Sequence, residues 1–239
     1  MQQTEKKKII CVRNLRKSYV TAGEKTEVLH GIDFDIYENE FVVILGASGT
    51  GKTTLLNILG GLDSADSGEV IVDGTQIAEM SPKKLNQYRR KQVGFIFQFY
   101  SLFPYLTVEE NLNYVAKLVK NPASTEECLK KVGMYEKRRS FPSQLSSGQQ
   151  QRVAIARALV KNPSIILADE PTGALDLKTS KDVLVAMEEI TSQKSGTILL
   201  ITHNPEIASI ADKVIVMSQG NIEKIIENDN KKSARDLRW

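Results

Sequence analysis

Cysteine is scarce in this chain, and so are the other features that would place a protein outside the cell or inside a membrane. Among 239 residues there are two cysteines, Cys11 and Cys128, too few for a framework of disulfides and without the spacing of a metal site. A reducing, cytosolic compartment is therefore the default expectation. No apolar run approaches membrane-spanning length, and the apolar segment 9–12 after the basic start is too short for a signal peptide.

A strong excess of one charge is also missing. The chain has 32 Lys and Arg against 29 Asp and Glu, a formal net charge of +3, so we expect no nucleic-acid partner. The basic clusters at 6–8, 137–139 and 231–232 are most simply solvated surface, and contact with anionic lipid is the less favoured alternative. The hydrophobic fraction of 41% and the charged fraction of 26% are those of a soluble globular protein.

A glycine-rich motif is the most informative stretch. Residues 46–53 read GASGTGKT, preceded by the apolar run 41–45 and followed by leucines at helical spacing, which is the strand–loop–helix context of a phosphate-binding loop. The glycines let backbone N–H groups turn towards a phosphate, and the helix N-terminus adds a partial positive charge. Lys52 would reach the β- and γ-phosphates, and the Thr53 hydroxyl would bind Mg²⁺. The predicted phosphate-binding residues are Gly46, Ala47, Ser48, Gly49, Thr50, Gly51, Lys52, Thr53 and Thr54.

A second motif ends in two carboxylates. The apolar segment 165–168 is followed by Asp169 and Glu170, and the carboxyl end of a parallel strand is where α/β sheets bind ligands. Asp169 is predicted to hold Mg²⁺ through its water shell, and Glu170 to polarise an attacking water. A solvated acidic turn before Pro171 is the alternative, which the upstream phosphate loop makes less favoured.

A third motif, LSSGQQQR at 145–152, opens a predicted helix at 148–161. Ser146 followed three residues later by Gln149 is a capping box. The serine hydroxyl, the Gly148 amide and the helix N-terminus together also form an anion-binding device. No phosphate loop of its own lies nearby in sequence, so both interpretations stay open.

The order of elements predicts an α/β fold with a largely parallel sheet. Predicted strands lie at 9–12, 31–37, 41–45, 68–72, 93–97, 165–168, 198–202 and 214–217, the first two as an antiparallel pair. Predicted helices follow the phosphate loop and Pro82 and lie at 107–119, 124–132, 148–161 and 178–193. We expect a single domain over 1–239, with a core of 1–99 and 151–227, an inserted helical lobe at 100–150 and a loosely held polar tail at 228–239 in which Trp239 is a candidate to dock.

Together these motifs resemble the ATP-binding subunit of an ABC transporter over nearly the whole chain. The family signature is LSGGQ; here Ser147 replaces its first glycine, and Ser146 and Gly148 are retained. The resemblance implies a P-loop NTPase fold with a mostly parallel core sheet, an antiparallel β subdomain and an inserted helical subdomain. It implies ATP hydrolysis with ATP and Mg²⁺ as cofactors. It also implies a head-to-tail homodimer with ATP at the interface, where Ser146, Gly148 and Gln149 contact the nucleotide bound by the partner subunit.

Four further positions match the family one at a time. Gln98 matches the glutamine that contacts Mg²⁺ and the attacking water, and His203 the histidine that contacts the γ-phosphate. Asp176 matches the loop that crosses the dimer interface, with a helix N-cap as the alternative. Tyr19 matches the aromatic residue that stacks on adenine, with packing in the core as the alternative.

Residues 94–112 are similar to one subgroup, the ATPases of macrolide exporters, lipoprotein-releasing complexes, antimicrobial-peptide resistance transporters and a cell-division complex. That similarity implies a separate transmembrane permease that selects the cargo, and a cytoplasmic location on the inner face of the plasma membrane through that permease. The aromatic stretch 99–106 is expected to expose part of its residues, with Tyr100 and Tyr105 foremost, in a groove for a permease helix.

Two other classes of ATPase share the phosphate loop but fit the rest of the sequence less well. A small-molecule P-loop kinase would not need the motif at 145–152. A DNA-associated ABC ATPase would carry a long coiled coil between the phosphate loop and the signature, and 100–150 is short and without sustained heptads.

Overall fold

The computed structural model describes residues 7–193 and 196–238. The strands of this part are β1 (Lys8–Thr21), β2 (Glu24–Tyr37), β3 (Phe41–Leu45), β4 (Ser67–Val72), β5 (Thr75–Gln76), β6 (Val93–Ile96), β7 (Ile165–Asp169), β8 (Thr197–Thr202), β9 (Lys213–Ser218) and β10 (Asn221–Glu227). Its helices are α1 (Lys52–Leu59), α2 (Pro82–Gln92), α3 (Val108–Ala116), α4 (Thr125–Lys131), α5 (Ser147–Leu159) and α6 (Leu177–Ser192). No helix within the described ranges is long and apolar enough to cross a membrane.

The core is a six-stranded sheet in the order β10-β9-β3-β8-β7-β6. All pairings among β9, β3, β8, β7 and β6 are parallel, and β10 joins β9 antiparallel at the edge. The central strands β3, β7 and β8 are buried along almost their whole length, as expected of parallel strands whose two faces are both covered. The predicted mostly parallel core sheet is therefore confirmed.

A second sheet, in the order β2-β1-β4-β5, is antiparallel throughout. Its first two strands were predicted only in part, because β1 and β2 each run for 14 residues. The missed portions carry charges that pair across the strands, such as Arg16 with Glu27 at 2.9 Å and Arg13 with Asp35 at 2.7 Å. Cross-strand ion pairs on an exposed face stabilise a sheet without producing an apolar pattern.

The helical lobe joins the core through one continuous apolar cluster, which includes Leu112, Leu129, Ile96 and Ile166. No strand is present in the described residues 100–150, as predicted. The segment leading into α3 is folded around Asn111, which is fully buried and hydrogen-bonds the backbone of Phe103, among others.

The aromatic stretch 99–106 is only partly as expected. Tyr105 is 90% exposed and Phe99 75% exposed. Tyr100, which was expected to be exposed, is half-buried. Its carbonyl accepts a hydrogen bond from Arg157, which holds the residue against the lobe.

The prediction of a loosely held tail is wrong. Ala234 and Leu237 are buried in the same apolar cluster as α6. The Ser233 hydroxyl and the Ala234 amide both donate to Glu188 at 3.1 Å, and Lys231 pairs with Asp212 at 2.7 Å. The prediction rested on the polar composition of the tail and overlooked that Ala234 and Leu237 are apolar and can pack in the core. Trp239 lies outside the described residues.

Candidate active site

The glycine-rich loop lies between β3 and α1, packed tightly against its neighbours. Gly49 and Gly51 have φ of +81° and +95°, in the left-handed region that glycine adopts at little cost. A Cβ on Gly51 would lie 2.9 Å from the Val28 carbonyl oxygen, and one on Gly46 would lie 2.4 Å from that of Met217. The loop therefore needs glycine for both its conformation and its close packing.

Lys52 begins α1 and is folded back over the loop. Its Nζ donates to the carbonyl oxygens of Gly46 at 2.8 Å and Ala47 at 2.7 Å. Burial lowers the pKa of the Lys52 ammonium, and the carboxylates of Glu170 and Asp169 act in the opposite direction. The charge is held over the loop where an incoming phosphate would meet it.

A polar cavity of about 390 Å³ opens beside this loop. The carboxyl ends of parallel strands meet at one edge of a sheet, so the cavity combines the loop with residues that follow β6 and end β7. Of the predicted site residues, it is lined by Ser48, Gly49, Gly51, Lys52, Thr53, Thr54, Gln98, Asp169 and Glu170. Residues more than a hundred positions apart in sequence thus share one site.

The oxygen donors of this cavity fit Mg²⁺. Thr53, Gln98 and Asp169 supply a hydroxyl, an amide oxygen and a carboxylate, the hard ligands that this ion prefers. Burial is the larger cause of a raised pKa of Asp169, and the neighbouring Glu170 carboxylate is the second. A cation bound here would stabilise the charged form of Asp169. The described residues contain no group of three or more His, Cys, Asp or Glu that could hold a metal ion.

Glu170 is held in an unusual conformation. Its φ is +44°, rare for a residue with a side chain, while its N–H donates to the Ile201 carbonyl at 3.1 Å and its carbonyl accepts from the Gly173 N–H at 3.0 Å. Oε1 lies 2.8 Å from His203 Nδ1, and Oε2 accepts a 3.1 Å hydrogen bond from the Thr202 hydroxyl. His203 thus lies on the carboxylate that was predicted to act as the base.

Thr202 was not predicted. It is the one polar residue at the end of the otherwise apolar segment 198–202 and directly precedes His203. That position was the available signal, since the last residue of a central parallel strand faces the ligand edge of the sheet.

Tyr19, at the end of β1, lies beside the phosphate loop through its contact with Thr54. Its hydroxyl donates to Asp63 Oδ2 at 2.6 Å, and Lys17 pairs with Asp63 Oδ1 at 2.9 Å. The Lys17 ammonium also lies 5.1 Å from the Tyr19 ring centroid. Asp63 and Lys17, which fix the orientation of this ring, carried no signal in the sequence.

The motif at 145–152 is not part of the cavity. Ser146 and Gln149 form the predicted capping box, with Ser146 Oγ accepting from the Gln149 N–H at 3.3 Å and Gln149 Oε1 accepting from the Ser146 N–H at 3.0 Å. Asp176 caps α6 by accepting from the N–H and hydroxyl of Thr179 at 3.1 and 2.6 Å. A Cβ on Gly148 would lie 1.9 Å from Thr179 Cγ2. Ser146, Gly148 and Asp176 therefore belong to one group at the packed starts of α5 and α6.

A second cavity of about 220 Å³ lies between the core sheet and the helical lobe. Its lining is formed by Arg89, Arg90, Phe95, Phe97, Val115, Leu118, Arg157, Ala158 and Lys161, which we call the lobe groove. Phe95 and Phe97 are stacked with ring centroids 5.5 Å apart, and among the described residues the lining has four cations and no carboxylate. Burial, with Arg89 and Arg157 nearby, lowers the pKa of Lys161 to about 8. The stretch 99–106, expected to line such a groove, contributes none of these residues.

Comparisons with protein families and with known proteins both identify ABC transporter ATP-binding proteins as relatives of this chain. The family model described as ABC transporter matches residues 29–173. The chain is 46% identical over 235 residues to the putative ABC transporter ATP-binding protein MG065 homolog of Mycoplasma pneumoniae, covering 97% of this chain and 50% of that protein. It is 42% identical to the bacitracin export ATP-binding protein BceA of Halalkalibacterium halodurans, covering 90% of this chain and 87% of that protein. The chain thus spans about half the length of the Mycoplasma relatives that it matches.

Solved structures of ABC transporter cassettes are also similar to this chain. The dimeric bacterial ABC transporter cassette MJ0796 superposes with a TM-score of 0.82 at 37% identity, covering 91% of this chain and 98% of that one. A dimer of the same cassette in a post-hydrolysis state, bound to ADP and Pi, has a TM-score of 0.81 at 36% identity, with the same shares of both chains covered. With a family model over more than half of its length and these relatives over most of it, this chain belongs to the ABC transporter family, among its ATP-binding subunits.

Proposed function

We propose that this chain binds ATP with Mg²⁺, hydrolyses it at the interface between two copies of itself, and thereby drives a separate transmembrane permease. The observation that carries the proposal is the single cavity that joins the phosphate loop to Gln98, Asp169 and Glu170. Membership of the ABC transporter family argues against the small-molecule kinase. The lobe helices α3 and α4, of nine and seven residues, are unlike the long coiled coil of a DNA-associated ATPase.

The residues of the cavity have different roles in ATP binding and hydrolysis. Backbone N–H groups of the loop and the Lys52 ammonium bind the β- and γ-phosphates. Mg²⁺, held by Thr53, Gln98 and Asp169, would neutralise phosphate charge. Glu170 accepts a proton from a water whose oxygen bonds to the γ-phosphorus, while the bond from that phosphorus to the β–γ bridging oxygen breaks and leaves ADP and phosphate.

Adenine recognition is assigned to Tyr19. Its hydroxyl interacts with Thr54 of α1 and donates a hydrogen bond to Asp63. An aromatic face held in one orientation stacks on a base with little loss of side-chain freedom.

The dimer is proposed because four of the predicted nucleotide contacts lie away from the cavity. Ser146, Gly148, Gln149 and Asp176 do not line the cavity that holds the phosphate loop. Head-to-tail pairing of two copies would bring this group of one copy over the nucleotide of the other. The related cassette MJ0796 was solved as a dimer, which supports that arrangement.

Glu170→Gln tests hydrolysis and dimerisation together. The change keeps the size of the side chain and removes the base, so we expect the ATPase rate to fall by roughly 10²–10⁴-fold. ATP binding survives, so Mg-ATP should accumulate a dimer that gel filtration resolves. The matched control is Glu189→Gln on the surface of α6, where the carboxylate pairs with Arg235; this variant should hydrolyse ATP as the wild type does. A Glu170→Gln protein that stays monomeric at saturating ATP would contradict the dimer.

The permease is proposed to dock in the lobe groove. The groove is lined by apolar side chains and four cations. Phe97 of its lining directly precedes Gln98, so a change at the nucleotide has a short path to a docked helix. The chain would thus lie at the inner face of the membrane through its permease. The relative named for bacitracin export favours export or mechanical transmission of the antimicrobial-peptide, macrolide or lipoprotein type.

A further inference from the structure

Thr202 ends β8 with its hydroxyl fully engaged. Its side chain is 1% exposed. Oγ1 donates its only hydrogen to Glu170 Oε2 at 3.1 Å and accepts from the Asn204 N–H at 3.1 Å. Since a threonine hydroxyl has one hydrogen to donate, the orientation of this group is fixed by its two partners.

The carboxylate that it holds has two partners of different kinds. His203, bonded to Oε1, has a side chain that is 65% exposed and can turn away on the timescale of rotamer exchange. Thr202 is buried and β-branched, which restricts its χ1. Glu170 itself is pinned at the backbone with φ of +44°. When the imidazole leaves, the Thr202 hydroxyl is the contact that still orients the carboxylate.

We propose that Thr202 is a positioning residue for ATP hydrolysis. Its hydroxyl anchors Oε2 of Glu170, so that Oε1, once free of His203, faces the attacking water and takes its proton. The inference rests on the proposed hydrolytic function and on the assignment of Glu170 as the base. Thr202 touches neither nucleotide nor water in this scheme.

Thr202→Val tests the anchor, because valine keeps the branched shape and removes the hydroxyl. We expect kcat to fall by roughly 10–100-fold, the usual loss when a group that orients a reacting residue is removed. The KM for ATP should stay within about twofold, since the phosphate loop is untouched. Thr202→Ser keeps both hydrogen bonds and should restore kcat to within about threefold of the wild type.

Thr197→Val is the matched control. Thr197 is the other terminal residue of β8, is 1% exposed, and its hydroxyl also accepts a backbone N–H, that of Asn39 at 2.9 Å. Its variant should lose comparable thermal stability while kcat is retained. On the Glu170→Gln background, Thr202→Val should cause no further loss of rate, because the two residues act as one unit.

Three results would overturn the inference: a Thr202→Val enzyme with wild-type kcat, a loss confined to KM, or a serine variant as slow as the valine variant. If the valine variant does not fold, Thr202→Cys, of similar size and with only a weak S–H donor, is held to the same criteria. A wild-type protein without ATPase activity would instead overturn the proposed function itself. An active wild type with an unaffected Thr202→Val variant overturns the anchor alone.

Discussion

At the scale of single residues, the buried cation of the phosphate loop gives the most direct test of nucleotide binding. Lys52→Ala removes the ammonium that donates hydrogen bonds to the carbonyl oxygens of Gly46 and Ala47. A triphosphate would then meet a pocket without its compensating charge, so we expect turnover to fall by at least about 100-fold and ATP affinity to drop. Calorimetric titration and an ATPase assay measure the two effects. Lys130→Ala is the control, since Lys130 lies on α4 and pairs with exposed Glu126. Equal losses of ATP affinity and turnover in both variants would contradict the assignment of Lys52 as the phosphate-binding cation.

The residues of the cavity could be predicted where they stand in a contiguous motif or at the end of an apolar strand. The phosphate loop, Asp169 and Glu170 satisfied one of these conditions, and Gln98 came from the family resemblance; the structure places them around one cavity. Asp63 stands in neither position, and Thr202, although it ends the apolar segment 198–202, belongs to no motif or resemblance. Their roles depend on the side chain that the fold places beside each, Tyr19 for Asp63 and Glu170 for Thr202, and the sequence pattern does not specify those partners.

At the scale of elements, the close contact between the starts of α5 and α6 makes a prediction about stability. Gly148→Ala would put a Cβ 1.9 Å from Thr179 Cγ2. Overpacking of this kind typically costs about 1–3 kcal/mol, and the Thr179 side chain cannot turn aside without losing the hydrogen bond from its hydroxyl to Asp176. We therefore expect the free energy of unfolding to fall by about 1–2 kcal/mol, after allowing for the better helix propensity of alanine.

Thr179→Ser supplies the rescue. Serine lacks Cγ2 but keeps the hydroxyl that donates to Asp176. The double variant Gly148→Ala, Thr179→Ser should recover most of the stability lost in the single variant, as measured by urea unfolding. No recovery would show that the two helices tolerate the extra carbon and that the glycine is needed for something else.

The same scale shows which elements a sequence pattern reveals. Strands covered on both faces, such as β3 and β7, were predicted nearly to the residue because all their positions, apart from Asp169 at the end of β7, are apolar. The edge strand β10 was missed, since four of its seven residues are polar or charged and none of its residues is fully buried. The tail was misjudged for a related reason: Ala234 and Leu237 are buried in a core cluster whose members, such as those of α6, lie far away in sequence.

At the scale of the whole molecule, the lobe groove predicts which surface engages the permease. Leu118 lines the groove and is 47% exposed, so Leu118→Ser should weaken co-purification with the membrane partner and uncouple ATPase activity from it. Dimerisation of the isolated subunit with ATP should be unchanged. Tyr105→Ser is the comparison, because Tyr105 is more exposed but does not line the groove. Loss of the partner in the tyrosine variant alone would move the docking surface to the stretch 99–106.

The position of β3 in the core sheet has a consequence for biosynthesis. This strand carries the phosphate loop, and its two neighbours are β8, where Phe41 pairs with Ile198, and β9, where Val42 pairs with Lys213. Both neighbours are translated long after β3 itself. A nascent chain therefore carries its nucleotide-binding strand without partners while the antiparallel sheet and the helical lobe are made, and an unpaired apolar strand is prone to aggregate. The loop that follows β3 can therefore reach its final position, and bind nucleotide, only after β8 and β9 have been translated.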